Sequence, residues 1–489
     1  MNRCLLFVCL LLCPPLAAQD FVWTPGLQRA YADLLKLKVA SGRQMLAGEA
    51  STNGIQIYTE DFADMVTLLV SDEDQAFERL AKREDQRLAQ LQKLNNKSPW
   101  QRLMQAEVRL HWAFVKLKFG KEVSASWDII RAYKLLAENQ KLFPTFLPTY
   151  KSLGVLHIMI GSVPENYTWV TNLLGLKGSI RQGLQEIQRA QQAPIFRTES
   201  QVIELLVSAY ITQFTGADEQ RLKRLVQEHP DNLLICFFAG TTEMKNGNSE
   251  QALSYLLNRP TGPVYLTMPI IANLLGDIYL QKGLYNQALQ QYQQFLTSYR
   301  GQNFLKDSYY KQFLCYWLDN NDARAVPLLR KVQQVGRTVV ESDKAAQKFA
   351  GNFFKKAISP QQKILMRARL STDGGYLDSA LALMRSYKET YFTQPADRAE
   401  YNYRFGRIHQ RSNEPDQAIP YFERAITLSE ADQLSFGATS ALQLGYIYQQ
   451  KRNTPKARQY FQKALSYQKH EYKNSIDNKA RAALTSLEE

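Results

Sequence analysis

The side chains best suited to proton transfer or metal ligation are five histidines, His111, His157, His229, His409 and His470, and they are dispersed along the chain. The sequence contains no HExxH, no paired CxxC, no GxSxG and no Walker-type phosphate loop. The spacings that zinc hydrolysis, acyl transfer or nucleotide binding require are therefore absent. His409 stands where sister segments carry Tyr279 and Tyr448, and His157 lies in the apolar run LGVLHIMIG. Both read as packed histidines. Glu165 and Asn166, after a proline, read as the cap of a following helix. No catalytic residue, metal site or cofactor is expected.

Recognition is the chemistry that remains. Asp277, Tyr310, Trp317, Arg369, Tyr403, Arg407, Arg411 and Tyr446 combine arginine with aromatic side chains. Guanidinium groups pair with carboxylates and phosphates in a fixed fork geometry, and aromatics supply flat apolar surface. Such a set suits carboxylate, phosphate or glycan ligands, and a peptide equally, provided that one surface collects it. That condition turns on the helices that carry these residues.

From about Ser200 a helical period is visible. Leu275-Gly276, Tyr279, Ala288 and Tyr292 recur as Phe405-Gly406, His409, Ala418 and Phe422, and as Leu444-Gly445, Tyr448, Ala457 and Phe461. Weaker copies are Gly240, Ala252, Leu256, then Phe313, Ala325, Leu329, then Ala368, Ala380, Met384. The first positions of these sets, 240, 276, 313, 368, 406 and 445, are spaced 36, 37, 55, 38 and 39 residues apart. A tetratricopeptide unit pairs two antiparallel helices over roughly 34 residues. The long interval predicts an inserted helix within Glu341 to Ala357. Turn-forming runs such as Asn246-Gly247-Asn248, Lys282-Gly283 and Asp373-Gly374-Gly375 fall between the paired helices. The expected fold is all-α, a helical N-terminal domain followed by a right-handed tetratricopeptide solenoid. In that register the recognition residues line the concave groove.

Upstream, Thr24-Pro25 and Ser98-Pro99 read as helix caps followed by proline at the first helical position. Residues 50–59 read as a loop with one short extended piece, and the mixed-sign run between Glu73 and Leu94 as a solvated helix face. The densest glycine and proline content lies between Leu147 and Ile187. Gly154, Gly161, Gly175, Gly178 and Gly183 are too many for an ordinary helix and predict close helix contact or positive-φ turns. Ser162-Val163-Pro164 breaks the chain, Trp169 sits on the apolar side of a resumed helix, and Lys177 lies in a second break. The segment reads as a packed corner, or as a ligand site at a domain junction.

Phe143-Pro144, Leu153-Gly154, Ser162-Val163-Pro164, Leu174-Gly175-Leu176-Lys177-Gly178 and Gly183-Leu184 together resemble the signature of the tetratricopeptide-repeat-39 and yeast inclusion-body-clearance family. The resemblance covers about Trp100 to Glu186. It implies helical N-terminal domains followed by tetratricopeptide repeats, with lipid handling associated with some members. The chain also resembles exported tetratricopeptide repeat proteins of Bacteroidetes type.

The first 18 residues read as a secretory signal peptide: Arg3, an apolar run from Cys4 to Leu12, Pro14-Pro15, and Leu16-Ala17-Ala18 before Gln19. No small residue precedes Cys9 or Cys13 as a lipid-attachment motif requires. No later run is apolar for long enough to span a membrane. Residues 19–146 are expected to form the N-terminal domain, 147–199 the glycine-rich junction, 200–471 the repeats and 472–489 a capping helix. Cys236 and Cys315 read as buried free thiols, with a bridge between neighbouring repeats the alternative. The net charge of +14 suits anionic envelope polymers or lipid headgroups as well as a plain solvated surface. No nucleic-acid-binding motif is present. The expected function is that of a non-enzymatic scaffold in the periplasm or at the outer-membrane periphery, binding a protein or peptide in the groove. The alternative is a lipid- or glycan-binding protein that uses the Gly154 to Gly183 junction.

Overall fold

The computed structural model describes residues 20–49, 52–163, 174–212, 214–355, 359–468, 470 and 472–487. The expected leader, Pro164, Glu165, Asn166 and Trp169 lie outside the described residues. Those described form helices and their connections, with no β-strand among them. The inserted helix predicted by the long repeat interval is present as Glu341–Phe353.

One local device ends the first helix of the six hairpins whose key positions recur in the sequence. Seven residues after each key position the backbone turns left-handed, at Gly247, Gly283, Asn320, Gly375, Asn413 and Arg452. The next amide then donates back to the carbonyl five residues earlier, as from Asn248 N to Glu243 O and from Asn453 N to Tyr448 O, at 2.8 and 2.9 Å. This is the Schellman closure of a helix C-terminus. In the hairpins that carry Gly240, Gly276, Gly406 and Gly445 at the crossing, that glycine receives the bulky residue from the second helix. A Cβ on Gly276 would stand 2.5 Å from the Tyr292 ring, and one on Gly406 2.6 Å from Phe422. Ala252, Ala288, Ala325, Ala380, Ala418 and Ala457 are all fully buried at the crossings.

The same geometry closes two hairpins upstream of the repeats. Pro25–Leu35 and Val39–Leu46 turn at Leu37 (φ 63°), with Ala30, Gly42 and Leu46 in the three packing positions. Pro99–Lys118 and Glu122–Leu142 turn at Gly120 (φ 70°), with Ala113, Ala125 and Ile129. The closing bonds, Lys38 N to Asp33 O at 2.9 Å and Lys121 N to Lys116 O at 2.8 Å, match those of the solenoid. One apolar core runs continuously from Leu27 to Ile278.

Between these hairpins the sequence reading needs two corrections. Residues 54–59, within the segment read as a loop, begin the helix Gly54–Ser71, capped by Asn53. This helix is buried nearly all round, so it lacks the one-sided pattern that marks a surface helix. The mixed-sign run is not simply solvated. Its Arg87 is buried, 2.8 Å from Asp61 and 2.7 Å from Asp64. His111 Nδ1 and Trp112 Nε1 meet the same Asp61 at 2.8 and 2.9 Å.

Glu84, on that run, bonds Lys116 at 2.6 Å. Burial pushes its carboxyl up to about 7, Lys116 opposes the shift, and Asp128 adds to it. The unfolded value is about 4.3, so the folded state holds the proton more tightly. The stability associated with this proton is present below pH 4.3 and is lost as pH rises through 7. Glu84→Gln should therefore gain stability relative to the wild type between pH 5 and pH 8. Urea unfolding at the two values checks this, and a pH-independent difference would count against it.

The solenoid also folds back on its beginning. Lys36 and Lys38 both reach Asp231 at 2.8 Å, and Leu266 N donates to Leu37 O at 2.8 Å. Asp72, buried at the end of its helix, accepts from Tyr299 Oη at 2.6 Å and from the amides of Gln302 and Asn303. In an open repeat array each unit touches only its neighbours. Here hairpins far apart in sequence are fastened together, which decides what the concave surface can offer.

Candidate partner-binding groove

The first helices of the later hairpins, Leu305–Leu318, Gln361–Gly374, Pro395–Arg411 and Ser435–Gln450, carry most of the predicted groove residues. Five of these residues remain partly exposed. Tyr310 packs on Phe349 with ring centroids 4.8 Å apart, and burial pushes its hydroxyl up to about 12. Arg369 stands 3.6 Å from Asp373 and is about half exposed. Tyr403 lies against Phe436 at 5.7 Å, and Tyr446 against Phe461 at 5.3 Å. Arg407 donates to the side-chain oxygens of Gln410 and Gln443 at 2.7 and 2.9 Å.

The other three are engaged inside the protein. Asp277 accepts from Lys311 Nζ at 2.7 Å and Tyr292 Oη at 2.8 Å. Trp317 is buried between Phe313 and Phe353. Arg411 donates to the carbonyls of Asn246 and Gly247 at 3.0 and 2.9 Å and of Thr372 at 2.5 Å. It thus joins the turn ends of three hairpins, a task that a five-donor guanidinium can perform and a sequence register cannot reveal. Arg411→Met should cost about 2 kcal/mol, because buried carbonyls lose charge-assisted donors. Hydrogen exchange should then quicken around 246–247 and 372–375. Unchanged exchange there would deny the fastening role.

Two further cations reach this surface unforeseen. Lys245 ends the helix Leu233–Asn246, and Lys479 lies on the last helix, Lys473–Ser486. Burial, Lys245 and Arg407 hold the Lys479 ammonium below its usual value. Only the winding of the chain brings them together.

The glycine-rich junction is a contact between two helices, Thr149–Gly161 and Ile180–Ala190. A Cβ on Gly154 would stand 2.7 Å from the Gly183 carbonyl oxygen, and one on Gly178 2.7 Å from the His157 Cα. A Cβ on Gly161 would meet the Ser179 and Ile180 backbone, and Gly183 faces Gly154 in return. Gly175 adopts φ 70° with open space beside it. Ser162 bonds the Ile158 carbonyl at 2.7 Å, and the Lys177 amide donates to Tyr133 Oη at 3.1 Å. His157 Nδ1 lies 2.6 Å from Glu186, and His409 Nδ1 2.7 Å from Glu414, both rings buried. Cys236 and Cys315 are buried and free, and burial pushes both thiols up. Among the described residues no group of three or more acidic, histidine or cysteine side chains is placed to hold a metal. No described helix is long and apolar enough to cross a membrane.

Repeat hairpins, their shared closure and the concave surface define a tetratricopeptide-repeat protein. Residues 271–301 and 397–470 match tetratricopeptide repeat models. Residues 131–261 match the model of the Iml2/Tetratricopeptide repeat protein 39 family, the family to which the junction residues point. Solved structures with similarity include the tetratricopeptide domain of P58(IPK), 12% identical over 88% of this chain and 97% of that one, with a TM-score of 0.22. Human IFIT1, in a dimer with PPP-AAAA, is 14% identical over 91% and 96%, with a TM-score of 0.32. Yeast Tom70 is 12% identical over 95% and 82%, with a TM-score of 0.24. No match is found among curated proteins.

Proposed function

We propose that the protein is a non-enzymatic scaffold that holds a protein or peptide partner along the concave surface of its solenoid. The observation that carries this reading is the row of partly exposed aromatics and arginines, Tyr310, Arg369, Tyr403, Arg407 and Tyr446, on the first helices of stacked hairpins. Aromatic and arginine side chains are the residue types that dominate binding energy at protein interfaces. The backbone contact between Gly154 and Gly183 favours the groove over the junction as the binding surface. The leader-like first 18 residues support an exported protein, working in the periplasm or at the outer-membrane periphery.

Capture from an envelope extract tests the groove. Tyr403→Ala with Arg407→Ala should reduce the captured partner about tenfold or more, as loss of one strong interface anchor does. An unchanged set of partners would overturn the groove reading. Intact-mass measurement of the fractionated protein tests export, with a chain that starts at Gln19 as the expected result and a retained leader as the contrary one.

A further inference from the structure

We infer that the concave interior contains an anion site, formed by Lys245, Arg407 and Lys479, that takes an acidic peptide segment. This rests on the groove reading and names the chemistry of the partner. The three cations come from three separate helices. Their proximity is built in, because Arg411 bonds the carbonyls of Asn246 and Gly247, the residues that follow Lys245. Arg407 lies one helical turn before Arg411 and so shares its face.

None of the three has a carboxylate partner among the described residues. Arg407 is bonded to two neutral amides, and Lys245 Nζ lies 5.9 Å from the centre of the Tyr210 ring. Elsewhere the protein pairs its cations freely, as at Lys311, Lys151 and Arg87. Partial burial, Lys245 and Arg407 together hold the Lys479 ammonium below its usual value. Burial and Arg407 do the same to Arg411, against the opposing pull of Asp373. Lys245, Arg407 and Lys479 repel one another, and an incoming anion relieves these repulsions at once.

Peptide suits this site better than a polyanion. The cations are few, and beside Arg407 stand the amides of Gln410 and Gln443, which donate and accept as a peptide backbone does. The exposed face of Tyr210 offers apolar contact next to Lys245.

The test uses the mature chain and a fluorescein-labelled glutamate-rich peptide, with its glutamine counterpart as control, read by anisotropy. The acidic peptide should bind, and more weakly as salt rises. Lys245→Gln with Lys479→Gln should weaken it about tenfold or more, the effect of losing charge-assisted bonds. Arg385→Gln, away from the cluster, should not. The thermal midpoint of Lys479→Gln should stay level or rise, since a repulsion is removed; a fall would show that Lys479 serves packing instead. Equal binding of the glutamine peptide, or an unaffected double variant, would overturn the proposal. Tighter binding of inorganic polyphosphate than of the peptide would overturn it in favour of a polyanion. Partner capture that depends on Tyr403 and Arg407, without acidic-peptide binding, would sink this inference and leave the scaffold reading standing.

Discussion

Lys151→Ala will cost about 3–5 kcal/mol in urea unfolding, the penalty for breaking a buried ion pair by removing one partner. Lys151 sits on the Thr149–Gly161 helix of the junction, with its side chain only 4% exposed. Its ammonium lies 2.9 Å from Glu107 and 3.1 Å from both oxygens of Glu199. Glu199 also accepts from Tyr31 Oη at 2.5 Å, Tyr58 bonds Tyr31 in turn, and Ser152 donates to Glu107. Burial opposes the charge on Glu107, but Lys151 and His111 outweigh it and hold the carboxyl below its ordinary value. Burial likewise opposes the ammonium, which Glu107 and Glu199 hold well above its own. Removing Lys151 leaves the Glu107 carboxylate buried without its closest cation, and the network that ties the junction to the first hairpin loses its centre. Lys151→Met with Glu107→Gln removes both charges and should recover much of the loss. A single variant as stable as the wild type would show that water reaches these groups and that the network is not dry.

The repeat hairpins were legible in the sequence because a glycine or alanine must stand wherever an aromatic crosses, and that demand recurs at fixed spacing. The first upstream hairpin obeys the same rule but hides it. Ala30 and Gly42 are too ordinary to notice singly, and the Leu37 turn carries none of the glycine that marks Gly247 or Gly283. Lys151 was invisible for a different reason. A lone lysine in an apolar helix looks like an exposed edge until Glu107 and Glu199, far away in the chain, are seen to meet it. The groove was half legible. Register alone placed Tyr403 and Arg407 correctly on the first helices. It could not show that Arg411 is held by carbonyls from two other hairpins, nor that Lys245 and Arg407, on different helices, both lower the Lys479 ammonium. Those facts belong to the winding of the solenoid, which depends on many small inter-repeat rotations and leaves no local mark.

The junction glycines give the second large effect, and its sign can be set against a matched control. Gly183→Ala should destabilise the protein by about 3 kcal/mol, the upper part of the overpacking range. The new methyl would meet the Gly154 carbonyl oxygen, the Ile158 amide nitrogen and the Ile158 side chain. Two of those neighbours are backbone, so no rotamer change relieves the clash, and the helices must separate. Alanine's better helix propensity, worth up to about 1 kcal/mol, cannot offset that. Gly351, in the helix Glu341–Phe353, has nothing within 4 Å of its would-be Cβ. Gly351→Ala should therefore stabilise by about 0.5 kcal/mol, from propensity alone. The same one-carbon substitution thus carries opposite signs at two helical sites. Urea unfolding measures both, and faster hydrogen exchange in 149–161 and 180–190 should accompany only the first. If both substitutions stabilised, the two junction helices could not be in backbone contact, and the space between them would again be open to a ligand.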